Sequence, residues 1–463
     1  MPLPAFATAS SSPLAAVPAT ALLRRILALA APTTALALLQ VAAQLAETWL
    51  AARQGTAALA GWAVLLPFAL LMQQMSTGAM GGGVVSAVAR ALGAGRRDEA
   101  SALVAHAVFI AVAAGLAFAL GLAFGAGALL RAVAGDASAA AAGGYALWLF
   151  GAGAVPAWLA NTLASVLRGG GRHGLAARVL SLTWIGYPLL GWALAEPAGW
   201  GLSGVGAAFA AVNWLAALAM ALAVRAGGAG FEPALRVPLR RAAFARILSV
   251  GAVACALAAI ANLTTILVTA QLRGHGTVAV AAYGIAARLE FLVIPLSFGV
   301  GSALTALVGG AVGAGDWRSA RRLAWLGGGL AFAVTGGIGI AVALNAAGFA
   351  RLFTHDAAVA ALAARALAYT APAFGGFGLG MAMYFASMGA GRMRWPVAGA
   401  LARIALAVAG GWWLANQARM GLDGNFLGVA LGITAYGVVT ASGVRTGVWR
   451  ARPQPLRGSP RTG

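Results

Sequence analysis

Apolar stretches of about 20 residues or more recur along this chain, each long enough to cross a hydrocarbon core about 30 Å thick. Nothing else in the sequence narrows the fold as much. Inside lipid every backbone N–H and C=O needs a partner within the protein, which leaves helices or a closed barrel. The alternating ten-residue strands of an outer-membrane barrel are not found, so the pattern predicts helices. Composition agrees. Of 463 residues, 61% are hydrophobic and 9% charged, too little charge to cover a soluble surface of this size.

Twelve helices are predicted, at 25–51, 56–90, 100–125, 137–168, 173–195, 202–224, 241–272, 277–311, 319–346, 357–390, 395–415 and 424–448. Turn residues and charge mark the breaks GAGRRDEA, RGGGRHG, GAGDWRSA and GAGRMRWP. The longest polar segment, RAGGAGFEPALRVPLRR, divides the chain nearly in half. The expected order is therefore a disordered cytoplasmic tail (1–24), a six-helix bundle (25–224), a cytoplasmic linker (225–240), a second six-helix bundle (241–450) and a second cytoplasmic tail (451–463). The first 22 residues have no basic segment ahead of their weakly apolar part and do not read as a signal peptide.

The net charge of +21 does not indicate nucleic-acid binding. All 31 basic residues are arginines scattered through short breaks, with no continuous basic face and no aromatic platform. They orient the chain instead. The tails and even-numbered breaks hold 24 of them, Arg403 included, and the odd-numbered breaks hold six; Arg288 lies inside a helix. Positive charge favours the cytoplasmic side, so both termini are expected there, in the inner (plasma) membrane. The single Cys255 excludes an internal disulfide and a cysteine-rich metal site. The glycine-rich breaks lack the Lys-Ser/Thr ending of a phosphate-binding loop, so no nucleotide is expected.

The halves repeat. GTAALAG (55–61) matches GTVAVAA (276–282) at an offset of 221, and LGAGRR (92–97) matches VGAGDW (312–317) at 220. RGGGR (168–172) matches MGAGR (388–392), also at 220. Six helices per copy is an even number, so both copies enter from the same side. The expected fold class is an all-α polytopic membrane protein whose two bundles are related by a parallel pseudo-two-fold axis.

Eight of the ten acids fall in breaks or at helix ends, and Glu47 and Glu290 remain. A charge at mid-membrane costs about 2.5–3.5 kcal/mol, so such residues usually face a cavity and serve function. Glu47 lies 21 residues past Ile26, about 31 Å along an ideal helix. That spacing alone leaves two places open for it, a cavity or the outer rim. Glu290 is about 20 Å deep and is either a titrating or substrate-facing group or half of a structural ion pair. Arg288 is two residues away, on nearly the opposite side of the helix, so the two are not expected to pair. Trp49, Trp62, Tyr283 and Tyr384 are either cavity aromatics able to hold organic cations or belt and core residues. His106 and His275 read as loop-edge residues.

Pro32, an acid fifteen residues later and TWLAARQGTAALAG together resemble the first helix and turn of the multidrug and toxic compound extrusion (MATE) family. The resemblance continues through LGAGRRDEA, residues 281–322 and YFASMGAGRMRWP. It implies a secondary antiporter, two six-helix lobes set as a V around a central cavity, and export of organic, often cationic, compounds against proton or sodium influx. Glu47 falls where the family carries its ion-binding acid, and Asn161 matches a polar residue facing the same cavity. Asn262, Thr265, Tyr283, Arg288 and Tyr384 are the expected substrate-cavity residues. Thr183 and Tyr187 stand before Pro188 where many members have Asn and Asp, and Asn262, Thr264 and Thr265 stand where some have an acid. These departures favour proton over sodium coupling. The expectation is a proton-coupled exporter, working as a monomer, with no metal or organic cofactor. The alternatives are a sodium-coupled exporter, a flippase for a lipid-linked precursor of related architecture, and, from another class, a polytopic membrane enzyme. A structural scaffold is a further alternative.

Overall fold

The computed structural model describes residues 17–445 apart from 235, together with 449; the side chains of 291 and 292 fall outside it. The expected tails 1–16 and 451–463, and Arg450 among the orienting arginines, lie outside the described residues. The first helix nonetheless starts earlier than the sequence pattern suggested. Its opening turns, from Ala19, are drawn into the core by Leu22 and Ile26, both fully buried.

Among the described residues, ten helical stretches are long and apolar enough to cross a membrane. One of them, Arg97–Ala152, is two passes. Gly135 interrupts it with φ 82° and ψ 172°, a conformation open almost only to glycine. Gly55 (φ 98°, ψ 168°) and Gly276 (φ 96°, ψ 172°) hold the same conformation immediately before helices, so one device makes all three hairpins. His173–Ala195 adds a further crossing. The described residues thus carry the twelve expected helices: α1 (Ala19–Arg53), α2 (Thr56–Gly93), α3 (97–134), α4 (136–169), α5 (His173–Ala195), α6 (Gly201–Arg225), α7 (Arg241–Leu272), α8 (Thr277–Gly313), α9 (Trp317–Leu344), α10 (Ala357–Ala390), α11 (Arg394–Asn416) and α12 (Leu422–Arg445). No strand occurs among them. Leu45, Phe124, Leu182 and Leu344 point outward, between 68% and 85% exposed, as lipid-facing side chains do.

Acids in the breaks cap helices. Asp316 accepts from the Ser319 N–H at 2.9 Å, and Asp356 from those of Ala358 and Val359 at 2.8 and 3.0 Å. One arginine is displaced from its expected break. Arg403 stands nine residues into α11, about 14 Å from its start, because Glu290 holds it there.

The bundles α1–α6 and α7–α12 meet on the side of the termini. Leu22, Ile26 and Ala30 of α1 pack with Val300, Ala303, Leu304 and Leu307 of α8. Gly93 sits so close to the Gly310 carbonyl, and Gly313 to that of Arg90, that a methyl at either would overlap it. Ser86 Oγ donates to the Met388 carbonyl at 2.5 Å, and Arg246 pairs with Glu99. The linker is pinned too. Ser101 Oγ donates to the Glu232 carbonyl at 2.5 Å and accepts from the Ala234 N–H at 2.7 Å. His106 Nε2 accepts from the Arg240 N–H at 2.9 Å, and its ring stacks edge-on with Phe244. His106 is therefore a buried residue of α3 rather than a loop-edge group, because it anchors the chain entering α7. Toward the opposite face the bundles share one hydrogen bond among the described residues, Asn262 Nδ2 to Gln74 Oε1 at 3.4 Å. The seam is closely packed on the side of the termini and more sparsely bonded toward the other face.

Candidate functional site

Each bundle buries one carboxyl, and the two are held differently. Glu47 stands six residues before the end of α1, about 9 Å below that rim. It points into the bundle and is 7% exposed. Its Oε1 accepts from Trp62 Nε1 of α2 at 3.0 Å and from the Tyr145 hydroxyl of α4. The Tyr187 hydroxyl of α5 faces the same carboxyl within electrostatic reach but outside regular hydrogen-bond geometry. Above it, Arg53 clamps Glu196 at 2.8 and 3.0 Å, with Gln54 Nε2 at 3.2 Å, closing the rim between α1 and α5. Glu47 is thus enclosed by helix packing inside its bundle and does not lie at the outer rim. Among the described residues no cation pairs with it.

In the second bundle, Glu290 of α8 receives Arg403 Nη2 of α11 at 2.5 Å, each side chain 15% exposed. The guanidinium lies 5.4 Å over the Phe377 ring, and Tyr283 and Tyr436 flank the pair. Trp62 and Tyr283 are 221 residues apart, so the repeat places an aromatic polar group at both carboxyls. Glu290 is thus half of an ion pair whose partner is neither Arg288 nor any residue near it in sequence.

The remaining expected residues divide. Asn161 is buried, 3% exposed, and donates to Ser76 Oγ at 2.9 Å. It is sixteen residues along α4 from Tyr145, about 24 Å, so the structure does not bring it to Glu47. Asn262 and Thr265 are half-buried on α7, with Asn262 at the seam. Tyr283 lies inside the second bundle, and Tyr384 is packed against Phe385 with ring centroids 4.9 Å apart. Neither lines an open cavity, because each is taken up in helix packing. Arg288 is exposed on α8. Trp49 is 53% exposed, with the Arg53 guanidinium 5.0 Å from its ring.

Sequence reasoning missed Tyr145, Tyr187, Arg403 and Tyr436. A signal existed. The chain has only six tyrosines, and four of them stand at the two buried carboxyls.

A family model described as MatE matches residues 32–195 and again 252–413. The matches begin 220 residues apart, the offset of the internal repeat. No curated protein sequence matches the chain. Among solved structures, similarity is found to a MOP-superfamily transporter from Pyrococcus furiosus described as having a binding pocket of reverse polarity (21% identity, 91% of this chain and 95% of that chain, TM-score 0.84). It is found also to an outward-facing multidrug resistance MATE family transporter (21%, 91% and 94%, 0.83) and to a Vibrio cholerae MATE transporter mutant (20%, 93% and 99%, 0.85). These likenesses establish a shared fold, and the two family-model matches, which together span more than half of the sequence, establish that the chain belongs to the MATE family of membrane transporters.

Proposed function

We propose that the protein is a secondary antiporter that exports small organic compounds, cationic ones among them, across the inner membrane in exchange for protons. The observation that carries this reading is Glu47, an acid enclosed in a bundle with three ring donors around it and, among the described residues, no paired cation. Ionised, its carboxylate only accepts, which suits the Trp62 N–H and the Tyr145 hydroxyl. A proton makes one oxygen a donor. Trp62 cannot accept it; a tyrosine hydroxyl can, and that of Tyr187 is uncommitted. Protonation therefore exchanges one hydrogen-bond pattern for another and alters how α1 packs on α4 and α5. Bistable packing of this kind is what couples a local charge change to a rocking of whole bundles.

The arginine bias favours both termini in the cytoplasm, and in that orientation the closely packed side of the seam faces inward. In this state Glu47 takes a proton from outside, substrate leaves through the more sparsely bonded side, and the bundles then rock so that the proton is released inward. The donor set suits a proton better than sodium. Glu47 is the one carboxylate there, and its bonded oxygen already serves an N–H and an O–H. Glu290, held by Arg403, acts as an anchor of the second bundle instead of a second proton carrier. Asn262 at the seam, and Thr265 on the same helix, contribute to the substrate path.

The test is transport by purified protein in liposomes. An imposed pH gradient should drive export, a sodium gradient should not, and Glu47→Gln should abolish the pH-driven component. Undiminished pH-driven export in Glu47→Gln, or export driven by sodium alone, would overturn the reading.

A further inference from the structure

A small void lies in the seam between the bundles, lined by Thr77, Gly82 and Arg168 of the first bundle and by Phe298, Ser302 and Phe385 of the second. The offset of 220 relates Gly82 to Ser302 and Arg168 to Met388. The repeat therefore has a cation in one copy and an apolar side chain in the other.

Arg168 is 1% exposed, yet neither its Nε nor its Nη2 has an acceptor in the protein. Among the described residues it enters no ion pair. The Thr77 hydroxyl in the same wall is likewise without a partner. Residues lining a cavity of about 10 Å³, room for a single small particle, thus carry three unpartnered donors and one full positive charge. A buried cation without a counter-charge is among the costliest arrangements in a protein. Water relieves it poorly, since one molecule accepts at most two hydrogen bonds and brings no charge. The Phe298 and Phe385 rings, which meet edge-on 5.7 Å apart, bring no hydrogen-bond acceptor to this wall.

The geometry points to a binding site for a monatomic anion, chloride in a physiological medium, at Arg168 and Thr77 in the seam. Because its walls come from different bundles, the site exists only while they are closed on the side of the termini. Bound halide therefore favours this state over its alternative, by linkage. The site is independent of Glu47 and of the transported compound.

The experiment uses the full chain in lipid nanodiscs without substrate, with Cys255→Ala and spin labels at Arg97→Cys and Arg318→Cys, both exposed on the closely packed side. Replacing chloride with gluconate should shift the population toward the wider label distance by about 5-fold or more, within the usual range of coupling between sites, and bromide should reverse the shift. Arg168→Met, which copies the residue at the repeat-related position, should be insensitive to halide. Arg168→Lys should keep a weaker response. Crystals grown in bromide should show an anomalous peak beside Arg168 in the wild-type chain, which decides the matter even where the variants fail to fold. No halide effect in the wild type, an unchanged effect in Arg168→Met, or a response to organic anions but not to halides would each overturn the site.

Discussion

Removing one partner of the Glu290–Arg403 pair should cost far more than removing both. The two side chains are 15% exposed, and Arg403 Nη2 is 2.5 Å from Glu290 Oε1. Breaking a fully buried pair costs about 3–5 kcal/mol because the survivor is left uncompensated. Here the slight exposure and the Phe377 ring 5.4 Å beneath the guanidinium soften the loss, so Glu290→Gln should cost about 3 kcal/mol. For a bundle of about 200 residues that is a fall of roughly 6–12 °C in melting temperature. Replacing the pair by neutral groups is close to neutral in other proteins, so Glu290→Gln with Arg403→Met should recover most of the loss. The assay is a double-mutant cycle in thermal unfolding of detergent-solubilised protein at one scan rate. Additive effects, with a coupling below about 0.5 kcal/mol, would refute the reasoning. Because the double variant keeps the bundle intact, it also separates anchor from carrier: it should retain pH-driven export, whereas Glu47→Gln should not.

Gly93→Ala should obstruct the seam, since its methyl would overlap the Gly310 carbonyl. Overpacking of about 1–3 kcal/mol should shift the population away from the closely packed state by roughly 5–150-fold, read as a wider spin-label distance with an unchanged circular-dichroism spectrum. Tyr187→Phe should remove the hydroxyl free to accept from protonated Glu47 and slow pH-driven export, with little effect on melting temperature. His106→Leu should leave the Arg240 N–H without its acceptor, at about 1–3 kcal/mol, and speed proteolysis within residues 226–240. At the exposed rim, Arg53 holds the Glu196 carboxyl below the ordinary carboxylate value. A depressed value means the clamp is fully present above the ordinary range and is lost as pH falls through the lower folded one. Hydrogen exchange at residues 52–54 should therefore accelerate on acidification below about pH 4, the ordinary carboxylate range; acceleration in Glu196→Gln at neutral pH is the matching control.

What the sequence made legible follows from which forces are local. Helix count, breaks and the internal repeat depend on apolar run length and on glycines such as Gly55 and Gly276, whose positive φ is demanded by the turn itself. These could be read one segment at a time. Partnership could not, because it depends on which faces of distant helices meet. Arg403 follows a run opened by Arg394 and reads like one more arginine of a break; only the packing of α11 on α8 turns it inward to Glu290, 113 residues away. Tyr187 looked like a loss of an expected acid, yet α5 carries it to Glu47, where a phenol that can donate or accept replaces a second carboxylate. Arg168 lies near the end of its helix in RGGGR and resembles an ordinary charged terminus, and only the folded packing buries it. In each case a side chain classed by its neighbours in sequence is governed by its neighbours in space. In a chain with few polar groups, that makes the rare ones informative as a set: tyrosine and acid are sparse enough that the gathering of four of six tyrosines at two carboxyls marks those two places in the fold.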